Sequence, residues 1–174
     1  MKKILSSILI ITTIFVVLMG NVVNAAENVK KDATKQEEVE TESPEKLFVK
    51  KVKKVCKKVV GKKNVKNVEY YNDSSGSLLI IELKTNGLSE KTDTFSANYD
   101  AVKIIKKLSK NKTFKSTDEV RFVYRGTFVD IYGNESEEIA FKIFLSKDTI
   151  SKINFKEFNS DNLPTIADYY ESNI

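Results

Sequence analysis

Pro44–Gly61 reads P-E-K-L-F-V-K-K-V-K-K-V-C-K-K-V-V-G, and its periodicity governs how the rest of the chain must fold. At about 100° per residue, Phe48, Val49, Val52, Val55, Cys56, Val59 and Val60 fall within an arc of roughly 140°. Lys50, Lys51, Lys53, Lys54, Lys57 and Lys58 fill the opposite side. This separation predicts an amphipathic helix, with Ser43 as cap, Pro44 at its first position and Gly61 at its end. Its composition is poor for a free helix. Valine loses rotamer freedom there, and like-charged pairs such as Lys50/Lys54 and Lys53/Lys57 each cost ~0.2–0.5 kcal/mol. Packing of the valine stripe must therefore hold it.

Two β-prone runs follow, Val65–Asn72 and Ser77–Thr85, separated by the turn cluster Asn72-Asp73-Ser74-Ser75-Gly76. Leu79, Ile81 and Leu83 alternate with polar or outward residues and face the core. Asn86–Asp93 reads as a loop. Thr94 or Ser96 then caps a second helix, Ala97–Lys110, with Ala101, Ile104, Ile105 and Leu108 inward and Lys103, Lys106, Lys107 and Lys110 outward. This helix superposes on the first at an offset of 49 residues, V-x-x-V-C-K-K-V from Val52 on A-x-x-I-I-K-K-L from Ala101. Two more strands follow it, Glu119–Asp130 and Glu137–Leu145, around the turn Ile131–Glu135. The order α-β-β-α-β-β raises an internal duplication, beside the plainer reading of two unrelated lysine-rich helices. In the tail, Ser146–Ile153 is a short capped helix, and Phe155, Phe158 and Leu163 are spaced to dock on the sheet. Asp161–Pro164 opens a last helical turn through Tyr170.

The fold class is thus α+β: two α-β-β units, amphipathic helices on one face of an antiparallel sheet, and a short C-terminal helical tail. Residues 44–174 form a single domain. Residues 1–25 have the layout of a secretory signal peptide: Lys2 and Lys3, an apolar run from Ile4 to Met19, and Val23-Asn24-Ala25 at the cleavage position. An uncleaved anchor at the outer face of the cytoplasmic membrane is the alternative. Residues 26–43 are acidic, nearly free of apolar side chains, and read as a flexible linker.

Composition narrows the chemistry. The 174 residues carry a net charge of +5, and removing Lys2 and Lys3 leaves 5 − 2 = +3, too weak an excess to argue for nucleic acid. With no histidine, Ser-His-Asp triads, Cys-His dyads and histidine-ligated zinc are excluded. The single cysteine, Cys56, lies on the apolar stripe and reads as a core residue. No glycine-rich phosphate loop occurs, so no cofactor and no metal are expected.

The segments D-I-Y-G-N-E (Asp130–Glu135) and K-I-N-F-K-E-F-N-S-D-N-L-P-T-I-A-D-Y-Y (Lys152–Tyr170) resemble the C-terminal third of uncharacterised small exported proteins and lipoproteins of low-GC Gram-positive bacteria and their phages. That resemblance implies export, and the family, being uncharacterised, carries no catalytic residues to transfer. This chain has no cysteine after its apolar run to carry a lipid.

The expected function is a secreted, non-catalytic binding domain acting at the cell envelope or in the medium, on a protein or an anionic envelope polymer. Retention at a membrane or wall through lysine-rich helix faces is the alternative. A hydrolase using the carboxylates between Asp130 and Glu138 is the second. The candidate docking residues are Lys50, Lys54 and Lys57 on the first helix, and Arg121 and Arg125 on the third strand beside Tyr124 and Phe128. A solvated helix face and an ordinary exposed sheet surface explain the same residues without a partner.

Overall fold

A computed structural model describes residues 42–85, 87 and 89–174. The signal-peptide reading and nearly all of the linker lie outside these residues. Of the linker, Glu42 pairs with Lys50 at 2.7 Å and Ser43 caps the first helix, so both are part of the fold.

Helix α1 spans Pro44–Val60, with the Ser43 hydroxyl accepting from the Lys46 amide. Gly61 ends it at φ 86°, a left-handed conformation that L side chains avoid. Phe48, Val52 and Cys56 are buried, the centre of the valine arc, while Val49, Val55, Val59 and Val60 pack at the core's margin. Strands β1 (Val65–Asp73) and β2 (Gly76–Lys84) form an antiparallel hairpin. Leu79, Ile81 and Leu83 face the core as their alternation predicts.

Helix α2 spans Glu90–Leu108 and starts seven residues before the expected position. The cap is Ser89, whose hydroxyl accepts from the Thr92 amide, and neither Thr94 nor Ser96 serves. Glu90 and Asp93 in its first turn suit the positive end of the helix. The opening turns carry only Asp93 inward and put Phe95 outward, so no apolar stripe marks them in the sequence. A short helix α3 (Lys112–Ser116) leads into β3 (Glu119–Val129) and β4 (Glu135–Ser146), the second antiparallel hairpin.

The sheet order is β1-β2-β3-β4-β5. It is antiparallel except at its centre, where β2 and β3 run parallel from Leu78↔Glu119 to Lys84↔Arg125. Asp118 sets that register: its carboxylate accepts from the Ser77 amide and hydroxyl, each at 2.9 Å. The carboxylate lies 3.3 Å from where a Cβ on Gly76 would stand, which, with φ 136°, explains a glycine there.

The parallel pair also decides the question of duplication. Seen from the helix side, β2 lies on one hand of an upward β1, whereas β4 lies on the other hand of β3 once β3 is turned upward. Both helices pack into one core on one face. Superposing the units would need a mirror image, so they are not copies in space.

The tail departs from the expected helical ending. Helices α4 (Lys147–Lys152) and α5 (Leu163–Ile166) form, but the chain then becomes extended and adds β5 (Tyr169–Ser172) to the edge of β4. The two tyrosines show why. Tyr169 stacks on Phe144 with ring centroids 4.9 Å apart, and Tyr170 on the other face donates to the Asn98 side chain at 3.1 Å. A strand sends neighbours to opposite faces, and a helical turn does not.

Cys56 is buried and the burial pushes its thiol up to about 12. Thiolate, not thiol, reacts. A thiol reagent at pH 8 should therefore label Cys56 only at the rate of unfolding, measured by absorbance or mass; rapid labelling of the native protein would contradict this packing.

Candidate functional site

The five candidate docking residues lie on two opposite faces of the fold. Lys50, Lys54 and Lys57 lie on the solvent side of α1, above the core face of the sheet. Arg121 and Arg125 alternate with buried Val120, Phe122 and Tyr124, so they lie on the opposite, open face. Both guanidinium groups are committed within the sheet, Arg121 to Glu119 and over the Phe144 ring, Arg125 to Glu82. Tyr124 is not beside them. It is buried on the core face and donates to the Ala97 carbonyl at 2.8 Å. Strand alternation accounts for the correction.

The carboxylates at the β3–β4 turn are also structural. Asp130 accepts from the Tyr132 and Asn134 amides, each at 2.8 Å, and from the Asn134 side chain at 2.9 Å. The bonds from Asn134 hold its carboxyl below the usual range. Glu137 pairs with Lys66 at 2.7 Å, and that bond lowers it as well. Among the described residues no group of three or more acidic or cysteine side chains is placed to hold a metal ion, and no helix is long and apolar enough to cross a membrane.

A concavity lies elsewhere. A groove of about 820 Å³ runs between the outer face of α2 and the segment 155–160. Phe95, Tyr99 and Val102 line one part, Phe155 and Phe158 the other. Lys103, Lys106, Lys107 and Lys110 are set along it, and among the described residues no acidic side chain lines it. The helix places these groups. Phe95 and Tyr99 are one turn apart and stack at 6.2 Å with rings 10° from parallel, although they remain 53% and 45% exposed. The Lys103 ammonium sits 5.0 Å from the Tyr99 ring centre, a cation–π contact. Lys106 donates to the Phe155 carbonyl at 2.7 Å and ties the far wall to the helix. Asn154 braces that wall by accepting from the Glu157 and Phe158 amides at 3.0 and 2.9 Å. A second depression of about 390 Å³ shares Phe155 and adds Lys115 and Lys147.

Sequence reasoning recorded the four α2 lysines as an outward face but missed the groove. Starting the helix at Ala97 left Phe95 in a loop, so the Phe95/Tyr99 pair at i, i+4 was invisible. Phe155 and Phe158 were expected on the sheet. Only Leu163 of that trio enters the core.

Beside the groove, burial raises the Asp100 carboxyl to about 6, opposed in part by Lys103. Asp168 shows the opposite balance. Burial alone would raise it, but bonds from the Ser146 amide, Thr149 and the Ser146 hydroxyl outweigh this and lower it.

No protein-family model matches this chain, and no curated protein or solved structure matches it.

Asp100 predicts a pH dependence of its own sign. Its folded pKa of about 6 exceeds the unfolded value of 3.8, so ionisation costs stability as pH rises through 6. Glu171, lowered to about 2 chiefly by the Tyr169 hydroxyl, contributes stability above pH 4.5 that is lost as pH falls towards 2. Asp100→Asn should raise stability at pH 8 by about 1 kcal/mol, after discounting for its partial exposure, and leave pH 4 nearly unchanged. Denaturant unfolding at the two pH values measures this.

Proposed function

We propose that this protein is an exported, non-catalytic binding domain, and that its binding surface is the basic aromatic groove along α2. The observation that carries the proposal is the lining itself: four lysines, four aromatic rings and, among the described residues, no acid in one concavity. Solvated lysine faces occur on many helices, but here the half-exposed Phe95 and Tyr99 stand in one concavity with Phe155 and Phe158. Aromatic side chains supply much of the energy of interfaces, and a one-sign groove steers an oppositely charged partner to them. The chemistry fits an acidic macromolecule with an apolar or aromatic anchor. Export rests on the N-terminal sequence pattern and on the resemblance of the C-terminal third.

Retention through the α1 lysines remains the rival, because Lys54 and Lys57 are exposed. The two surfaces can be reversed in charge separately. Lys107→Glu with Lys110→Glu should cut the protein's binding to the producing cell's envelope fraction about tenfold or more at 0.1 M salt. Lys54→Glu with Lys57→Glu should change it less than about twofold. The reverse ranking in a sedimentation assay would move the site to α1 and refute the groove.

A further inference from the structure

The β3–β4 hairpin is longer than the sheet that supports it. Strand β2 pairs with β3 only as far as Arg125, with a last bond from the Thr85 amide to the Arg125 carbonyl at 2.8 Å. On the other side, β5 and Asn173 hold β4 only down to Ile139 and Ala140. Between these limits Gly126–Val129 and Glu135–Glu138 pair with each other alone. Four strand residues extend about 13 Å. The hairpin therefore continues past its neighbouring strands as a two-stranded arm, its base held by Phe128 at the core's margin and by the Glu137–Lys66 ion pair.

The arm's tip is rigid and apolar. Asp130 ties the turn from inside with its side-chain bonds, and its backbone exchanges bonds with Asn134 and Gly133, each at 3.0 Å. That frame holds Ile131 and Tyr132 out at 91% and 84% exposure, the highest of the large hydrophobic side chains among the described residues. Glu135 flanks them, exposed, and Glu138, also exposed, lies farther down the arm opposite Gly126. A bare apolar tip could enter a bilayer, but these carboxylates would be repelled by an anionic lipid surface. The tip suits a protein pocket with a basic rim.

Such a pocket is already on the page. The groove along α2 offers aromatic walls to an isoleucine and a tyrosine, and lysines to Glu135 and Glu138. We infer that the acidic arm of one copy of this protein docks into the basic groove of a second copy. This rests on the groove being a docking surface. The contact joins two different patches, so it is heterologous, and arms and grooves can link copies into a ring or a chain. The tip is preorganised by Asp130, so little ordering entropy is spent on docking. An arm of this size buries a small interface, so association is weak and is read at about 0.1–1 mM protein. Salt weakens it, because the paired charges are exposed.

Complementation tests the inference. Ile131→Ser with Tyr132→Ser removes the arm's tip, and Lys107→Glu with Lys110→Glu spoils the groove. All four positions are exposed, and circular dichroism checks that both variants fold. In sedimentation velocity, wild type should form species that grow with concentration, and each variant alone should stay monomeric. An equimolar mixture keeps one good arm and one good groove, and should form dimers and nothing larger. A monomeric wild type at 1 mM, or a mixture that stays monomeric, overturns the arm-to-groove contact. If that happens while the groove variant still loses envelope binding, self-docking falls and the groove reading stands. If the groove variant keeps both oligomers and envelope binding, both readings fall.

Discussion

The parallel pairing of β2 with β3 is the constraint from which the rest of this fold follows. Parallel neighbours cannot be joined by a tight turn, so the chain must leave β2, cross the sheet and return to the start of β3. Helix α2 and α3 are that crossover. The crossing pins α2 over the centre of the core, where Ala97, Ala101, Ile104, Ile105 and Leu108 are buried. Helix α1 then takes the remaining space over β1. The Ser77–Asp118 bonds fix where the two strands meet, and a slip of one residue would turn Leu79, Ile81 and Phe122 out to water. Because the core face is covered and α2 is held along its inner stripe, its outer face is left to form a wall for the tail segment 155–160.

Charge is partitioned by the same geometry. On the open face of the sheet, basic groups are neutralised locally: Arg121 by Glu119, Arg125 by Glu82, Lys142 by Glu171. On α2, Lys103 and Lys106 meet a ring and a carbonyl, and among the described residues no acidic side chain lines their groove. Acidic groups gather at the far end of the β3–β4 arm. A modest net charge of +5 for the whole sequence thus hides a basic groove and an acidic tip. Such separation matters for association more than the total does.

Much of the fold was legible in the sequence. The valine arc of α1, the alternation in β2 and the turn at Asp73–Gly76 each carry a local signal, and all three hold. The parallel pair was not legible, because β2 and β3 look alike whichever way they run. Strand β5 was hidden because Tyr169-Tyr170 gains its strand character from Phe144 and Asn98, which are distant in sequence. The groove was half visible. Its lysines recur at helical spacing, but its aromatic residues come from a helix start without an apolar stripe and from a tail segment 50 or more positions away. Lysine density is highest on α1, but the lysine–ring contact among the described residues is made by Lys103 on α2.

The central claim is that the working surfaces are the groove of α2 and the arm between β3 and β4, not the lysine face of α1. Amide chemical shifts of the uniformly labelled protein, followed from about 20 µM to 1 mM, test this in one titration. The account predicts progressive shifts at residues 95–110 and 126–138, which 0.5 M salt suppresses, and none at residues 50–58. Shifts centred on residues 50–58, or a spectrum that does not change with concentration, would contradict it.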